Sequence, residues 1–322
     1  MGFREEFSRQ STRVALALVC ALLIAVPSAR AQAPPVTPPP QRFTVPADGH
    51  PMAVWARLPA APRAAILLIH GRTWSSRPDF DLQVPGLKRS VLQSLSDRGI
   101  AAYAVDLRGY GETPRDAGGY NTPTRAAADV GEVLKWIAAR HPGLDKPAVL
   151  GWSNGGLVAQ LVGQRAPALV SSVTLFGYTP ETEYRIGTPM LPVPKVAPKT
   201  RNSADGAASD FITPQVTPPA VVKAFVSAAL ASDPILAEWK DDQEWNALKA
   251  ERMFVPIMLL HGSNDPGASA SAAGEFLAAV GSRARSYVVL PLADHCAQLE
   301  DTHDAWISAV VEFITRPGPV RR

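Results

Sequence analysis

The chain has 322 residues, 46% of them hydrophobic, with 32 Lys+Arg against 29 Asp+Glu and a formal net charge of +3. That is enough apolar material for a sizeable core, as one large domain or two smaller ones. No basic block or stripe stands out, so composition gives no case for nucleic acid as a partner. No repeat at a period of about 20 to 50 residues is present, which excludes solenoids and propellers.

Arg4, Arg9 and Arg13 precede an apolar run over residues 14–26, and small residues follow at Ala29 and Ala31. A membrane-spanning helix needs about 20 apolar residues, and this run is shorter. The pattern predicts a signal peptide over residues 1–31, cut after Ala31, and export to the periplasm or beyond. An uncleaved N-terminal anchor is the alternative. Cleavage removes four Arg, two Glu and Cys20, leaving Cys296 alone, so the mature chain has no internal disulfide and no stable membrane span. Residues 32–41 are proline-rich and read as an extended linker. Residues 317–322 read as a short tail.

In chain order, strands are expected at 42–45 and 52–58, joined by a turn at Ala47-Asp48-Gly49-His50. Continuous apolar runs at 64–69, 100–105, 148–150, 172–176, 255–260 and 286–290 have the character of strands buried on both faces. Helical patterns lie between them at 87–98, 124–140, 156–165, 269–280 and 303–315. The second has Thr122 as a cap, Pro123 at its first position and an apolar face of Ala127, Val130, Val133, Leu134 and Ile137. The alternation predicts an α/β fold with a mostly parallel sheet and helices on both faces. Residues 178–252 break the rhythm with prolines and two helical stretches, near 218–230 and 234–250. So long a connection between sheet strands reads as an inserted cap.

Gly151-Trp152-Ser153-Asn154-Gly155 follows an apolar strand and opens a helix. Such a turn needs tiny residues two positions either side of the serine, and it raises the hydroxyl at a helix N-terminus, where negative charge is favoured. Ser153 is therefore the candidate nucleophile, and it needs a base. Of the six histidines, His295 lies in a loop just after the last strand and is the first candidate, with His303 in reserve. His141 ends a helix, His50 lies in a turn, and His70 and His261 precede glycines at strand ends and shape loops. The base needs a carboxylate. Asp265 lies beyond the C-terminal end of a strand, where open α/β sheets place their sites. It is preferred over Asp294, Asp301 and Asp304. The order Ser153, Asp265, His295 matches a hydrolase triad. Oxyanion donors are expected from the backbone N–H groups of Asn154 and Arg72. Trp74, Trp152, Trp239 and Trp245 are candidates to line a substrate pocket. Cys296 reads as a packed cysteine.

These residues, with His70-Gly71, Asp106-Leu107-Arg108-Gly109-Tyr110-Gly111 and His261-Gly262, resemble the α/β-hydrolase family over nearly all of residues 42–316. The resemblance implies an eight-stranded, mostly parallel sheet formed by residues 42–177 and 253–316, with 178–252 as the cap. It implies hydrolysis of an ester or related bond in a small molecule without a cofactor. Ser153 stands where dehalogenase and epoxide-hydrolase branches carry Asp, which argues against those activities. The Gly109 segment lacks the third glycine of a dinucleotide fingerprint. No His-Glu-x-x-His motif or cysteine cluster offers a zinc site. A carboxylesterase is the leading expectation. A lysophospholipase, peptidase, acyltransferase or perhydrolase would use the same triad, and a non-catalytic binding protein on this fold is the alternative from another class.

Overall fold

The first hairpin consists of β1 (Gln41–Ala47) and β2 (His50–Arg57). It turns through Asp48 and Gly49 at φ values of 49° and 74°, the left-handed conformation that a two-residue hairpin turn requires. The remaining strands are β3 (Ala64–Ile69), β4 (Ile100–Val105), β5 (Tyr120–Asn121), β6 (Ala148–Trp152), β7 (Val173–Phe176), β8 (Glu238–Trp239), β9 (Ile257–Gly262) and β10 (Arg285–Leu290). The helices are α1 (Ser76–Phe80), α2 (Val91–Asp97), α3 (Pro123–Arg140), α4 (Asn154–Arg165), α5 (Ala204–Ala208), α6 (Pro219–Ser232), α7 (Ala270–Ala279) and α8 (His303–Ile314). This computed structural model describes residues 39–316 apart from 179, 188, 190 and 191. The expected leader, residues 32–38 of the linker and the tail lie outside the described residues. Gln41, expected to end the linker, instead begins β1.

Eight strands form one sheet in the order β1-β2-β4-β3-β6-β7-β9-β10. β2 runs antiparallel to β1 and β4, and from β4 to β10 every neighbour is parallel. Successive residues of a strand face opposite sides, and β3 shows the result. Leu67 and Ile69 pack with Val130, Val133 and Leu161 of α3 and α4 on one face. Ile66 and Leu68 pack with Leu92, Leu95 and Trp306 of α2 and α8 on the other. Double-sided burial explains why these strands read as unbroken apolar runs. The expected cap of α3 is present, with the Thr122 hydroxyl accepting the Arg125 N–H at 3.4 Å.

Residues 178–252 run between β7 and β9. α6 buries Val221, Phe225 and Ala229, one residue per turn, on the side of Trp74 and Phe211. The second helix expected over 234–250 does not form. Pro234 precedes an extended stretch in which β8 pairs in parallel with β5, and Asp241 then takes a left-handed φ of 60°. Short 3₁₀ turns at Asp242–Ala247 and Ala250–Arg252 complete the stretch. Burying Trp239 and Trp245 in the core prevails over local helix propensity here. Among the described residues no helix is long and apolar enough to cross a membrane.

The parallel strands all end on one edge of the sheet, and the turn from β6 into α4 is the tightest there. A Cβ placed on Gly151 would lie 1.9 Å from the Gly155 carbonyl oxygen, and one on Gly155 would lie 2.4 Å from the His70 carbonyl oxygen. Gly151→Ala should therefore lose more than about 3 kcal/mol of stability, since backbone cannot yield as a flexible side chain does. Urea unfolding measures it, and a midpoint unchanged from the parent would contradict the packing described.

Candidate active site

Ser153 sits between β6 and α4 with φ 53° and ψ −121°. A non-glycine residue in that region costs about 1 to 3 kcal/mol, and such strain persists only where the surroundings enforce it. Here they do. The Ser153 N–H donates to the Phe176 carbonyl of β7 at 2.8 Å, and the Ser153 carbonyl accepts the Gly156 N–H at 2.8 Å. Asn154, first residue of α4, has no intrahelical acceptor for its N–H.

The loop after β3 lies directly against this turn. An ideal Cβ on Gly71 would be 3.6 Å from the Ser153 Cβ. The loop's peptides are fixed one by one. His70 Nε2 accepts the Leu107 N–H at 3.0 Å, which puts the ring proton on Nδ1, and Nδ1 donates to the Gly71 carbonyl at 2.8 Å. Burial lowers the His70 pKa to about 4 and keeps it neutral. Tyr110 donates to the Arg72 carbonyl, and Asp79 accepts the Gly71 N–H at 3.3 Å. Asp233 and Asp106 accept the Ser75 and Ser76 N–H groups at 2.8 and 3.0 Å. The Gly71 carbonyl is turned towards His70, so the Arg72 N–H, on the same peptide plane, points away from it. The Arg72 side chain leaves the loop and approaches Asp242 at 3.8 Å.

His295 and Asp265 meet, with His295 Nδ1 and the Asp265 Oδ2 3.2 Å apart. Burial acts to lower the His295 pKa. The hydrogen bond and charge of Asp265, joined by Asp210 and Asp294, outweigh it and raise the value above the usual 6.5. The link back to the serine runs through Trp152, its neighbour in sequence. Trp152 Nε1 donates to the His295 carbonyl at 2.9 Å, and the two rings lie 5.3 Å apart. His303, the reserve base, lies elsewhere. Its Nδ1 bonds the Gln298 carbonyl and its Nε2 bonds Ser94 of α2, so it ties α8 to α2. Asp294 is turned from the imidazole and accepts the N–H groups of Thr213 and Cys296. Cys296 is buried and free, its Sγ–H directed at the Asp210 carbonyl.

A hollow of about 390 Å³ opens beside His295 and Asp265, bordered also by Gly177, Tyr178, Asp210 and Ile212. The four tryptophans expected along a pocket are instead buried in packing positions. Trp239 donates to the Tyr110 hydroxyl at 2.7 Å and lies 6.0 Å from Trp245. It thus supports the Arg72 loop from behind. Trp74 donates to Asp210 at 2.9 Å and meets Phe225 edge-on. The physical reason is size, since an indole contributes most when fully desolvated with its N–H satisfied. Asp210 and Ile212 carry no mark in the sequence, because the insert offers no periodic pattern that points to them. Burial raises the Asp210 carboxyl.

The family model described as "Hydrolase_4: Serine aminopeptidase, S33" matches residues 60–302. A "2,6-dihydropseudooxynicotine hydrolase" of Paenarthrobacter nicotinovorans is 29% identical over 49% of this chain and 41% of its own length. A "Serine hydrolase BPHL" of Mus musculus is 29% identical over 42% of this chain and 44% of its own. The chain thus spans less than half the length of these curated relatives. Among solved structures, a serine hydrolase involved in carbazole degradation aligns with a TM-score of 0.60 and 16% identity, covering 86% of this chain and 100% of that one. Epoxide hydrolase A of Mycobacterium thermoresistibile aligns at 0.61 and 16%, covering 86% and 98%. Identities this low carry the fold alone, and that fold is the mostly parallel eight-stranded α/β-hydrolase sheet.

If His295 is the base, its neutral ring is the active form, and a raised pKa moves the onset of activity upward. Ester hydrolysis should increase with pH through one ionisation above 6.5. Asp265→Asn should shift that midpoint down and lower kcat by about 10⁴-fold, as loss of the orienting carboxylate does in a comparable triad. A pH–rate profile of both proteins measures this. A midpoint that stays in place in Asp265→Asn would contradict the pairing.

Proposed function

Because the chain belongs to the Hydrolase_4 family of α/β-hydrolases, serine aminopeptidase S33, we propose that it is an exported serine hydrolase that cleaves a carboxylic ester. The observation that carries this reading is Ser153, held at positive φ on the β6–α4 turn and joined through Trp152 to the His295–Asp265 pair. In this reading the Ser153 hydroxyl attacks the ester carbonyl while His295 takes its proton. Asp265 holds the imidazole with Nδ1–H towards itself and stabilises the charged ring. The Arg72 and Asn154 N–H groups receive the oxyanion, each such donor contributing about 3 to 4 kcal/mol to the transition state. His295 then returns the proton to the leaving alcohol, and water releases the acyl group by the same steps in reverse.

A second reading, release of an amino-terminal residue from a peptide, is favoured by Asp210. Its carboxyl group borders the hollow and would face a substrate ammonium. An aminoacyl p-nitroanilide cleaved faster than p-nitrophenyl butyrate would select it.

The test is covalent. A fluorophosphonate probe should label Ser153, and Ser153→Ala should abolish labelling and lower kcat by about 10⁶-fold. Peptide mapping of the same labelled, exported sample should begin at Gln32. An adduct on another serine would overturn the nucleophile, and a sample beginning at Met1 or Gly2 would overturn the export.

A further inference from the structure

The other edge of the sheet, where the parallel strands begin, carries a second hollow of about 530 Å³. It lies at the starts of β3, β6, β7, β9 and β10, a full strand length from the Ser153 turn. Five cations border it, namely Arg63, Lys146, Arg283, Arg285 and Arg316, against one carboxylate, Asp145. They come from four separate places in the chain, with Arg283 and Arg285 in one segment, so only the fold assembles them.

Three observations point to a ligand. First, the charges are unbalanced. Arg316 spends part of its guanidinium on Glu312 and Ser286, and Arg63 and Arg285 each bond one backbone carbonyl. Lys146 and Arg283 have no hydrogen-bond or ion-pair partner among the described residues. Like charges gathered round a concavity repel one another and raise the local concentration of anions. Second, Ser172 borders the hollow, is 5% exposed, and its hydroxyl is buried with no partner. A buried polar group left unpaired is costly and marks a place for a missing acceptor or donor. Third, the hollow is not evenly polar. Phe313 and Ile314 of α8 form one wall, so an occupant can present apolar surface on that side.

We propose that this basal hollow is a binding site for a phosphate-bearing anion. Arg283 and Lys146 would supply the unspent charge, Arg63, Arg285 and Arg316 would complete the ring of cations, and the Ser172 hydroxyl would hydrogen-bond an oxygen at the base. Arginine forks match phosphate oxygens in pairs, and charge-assisted hydrogen bonds of this kind are about twice as strong as neutral ones. The proposal is independent of the ester-hydrolase reading, because the site shares no residue with it. Free phosphate compounds and phospholipid headgroups have the same chemistry, so the experiment separates them.

Inorganic pyrophosphate is titrated into the purified protein by calorimetry, in parallel with the double variant Lys146→Ala/Arg283→Ala and with Ser172→Ala. The parent should bind one equivalent, and affinity should fall as salt rises. The double variant should bind more than about tenfold more weakly, since two charged contacts are lost, and Ser172→Ala should bind more weakly with unchanged thermal stability. All three should hydrolyse p-nitrophenyl butyrate alike, which shows that the variants are folded and keeps this test apart from that of the catalytic reading. Sedimentation with phosphatidylglycerol vesicles, and with phosphatidylcholine vesicles as the uncharged control, forms the second arm. Binding to anionic vesicles that the double variant loses, without binding of pyrophosphate, supports the site with a lipid headgroup as the source. No binding in either arm overturns the proposal. So does binding that the double variant keeps, or an equal response to chloride at matched ionic strength.

Discussion

Where β6 turns into α4, two glycine backbones pass so closely that a single methyl on Gly151 would strike the Gly155 carbonyl oxygen at 1.9 Å. Everything at the candidate site hangs on that contact. It lets the chain reverse within one residue, and Ser153 takes up the reversal as a positive φ. The hydrogen bond from Ser153 N–H to Phe176 and the packing of Gly155 under the β3 carbonyls make the strained conformation the one the sheet enforces. The cost of about 1 to 3 kcal/mol is met by the double-sided core, and its result is a serine aimed out of the sheet edge.

Two histidines show how differently the surroundings treat one side chain. His70 is wholly buried, gives both ring nitrogens to backbone groups and stays neutral, which makes it a rigid strut for the Gly71 peptide. His295 is also largely enclosed, but Asp265 stands on its Nδ1 and Asp210 and Asp294 lie near. Its proton affinity rises rather than falls. The first arrangement fixes a peptide, and the second raises the proton affinity of an imidazole. The insert supports both, since Asp233 and Trp239 brace the Arg72 loop and Asp210 borders the hollow next to His295.

Much of this was legible in the sequence, for physical reasons. Strands buried on both faces cannot tolerate polar residues, so β3 and β4 read directly as apolar runs. The capped start of α3 and the glycine spacing around Ser153 are local signals too. What escaped was set by distant contacts. The stretch after Pro234 has helical character, yet pairing with Tyr120–Asn121 and burial of Trp239 and Trp245 hold it extended and then in short turns. Those tryptophans looked like pocket walls because they stand near the motifs, and the fold turned them inward. Asp210 bears no sequence mark at all. The basal cations are likewise spread over four segments of the chain, and an even composition hides a local excess that appears only when five strand starts are brought together.

The central claim is that Ser153 carries the acyl group between two half-reactions. Rapid mixing of the protein with excess p-nitrophenyl acetate, followed by acid quench and peptide mass spectrometry, tests it most directly. The account predicts a burst approaching one p-nitrophenolate per chain and an acetyl group on the peptide containing Ser153. Turnover by the parent without a burst and without acetylated peptide, or an acetyl group on a different residue, would contradict it.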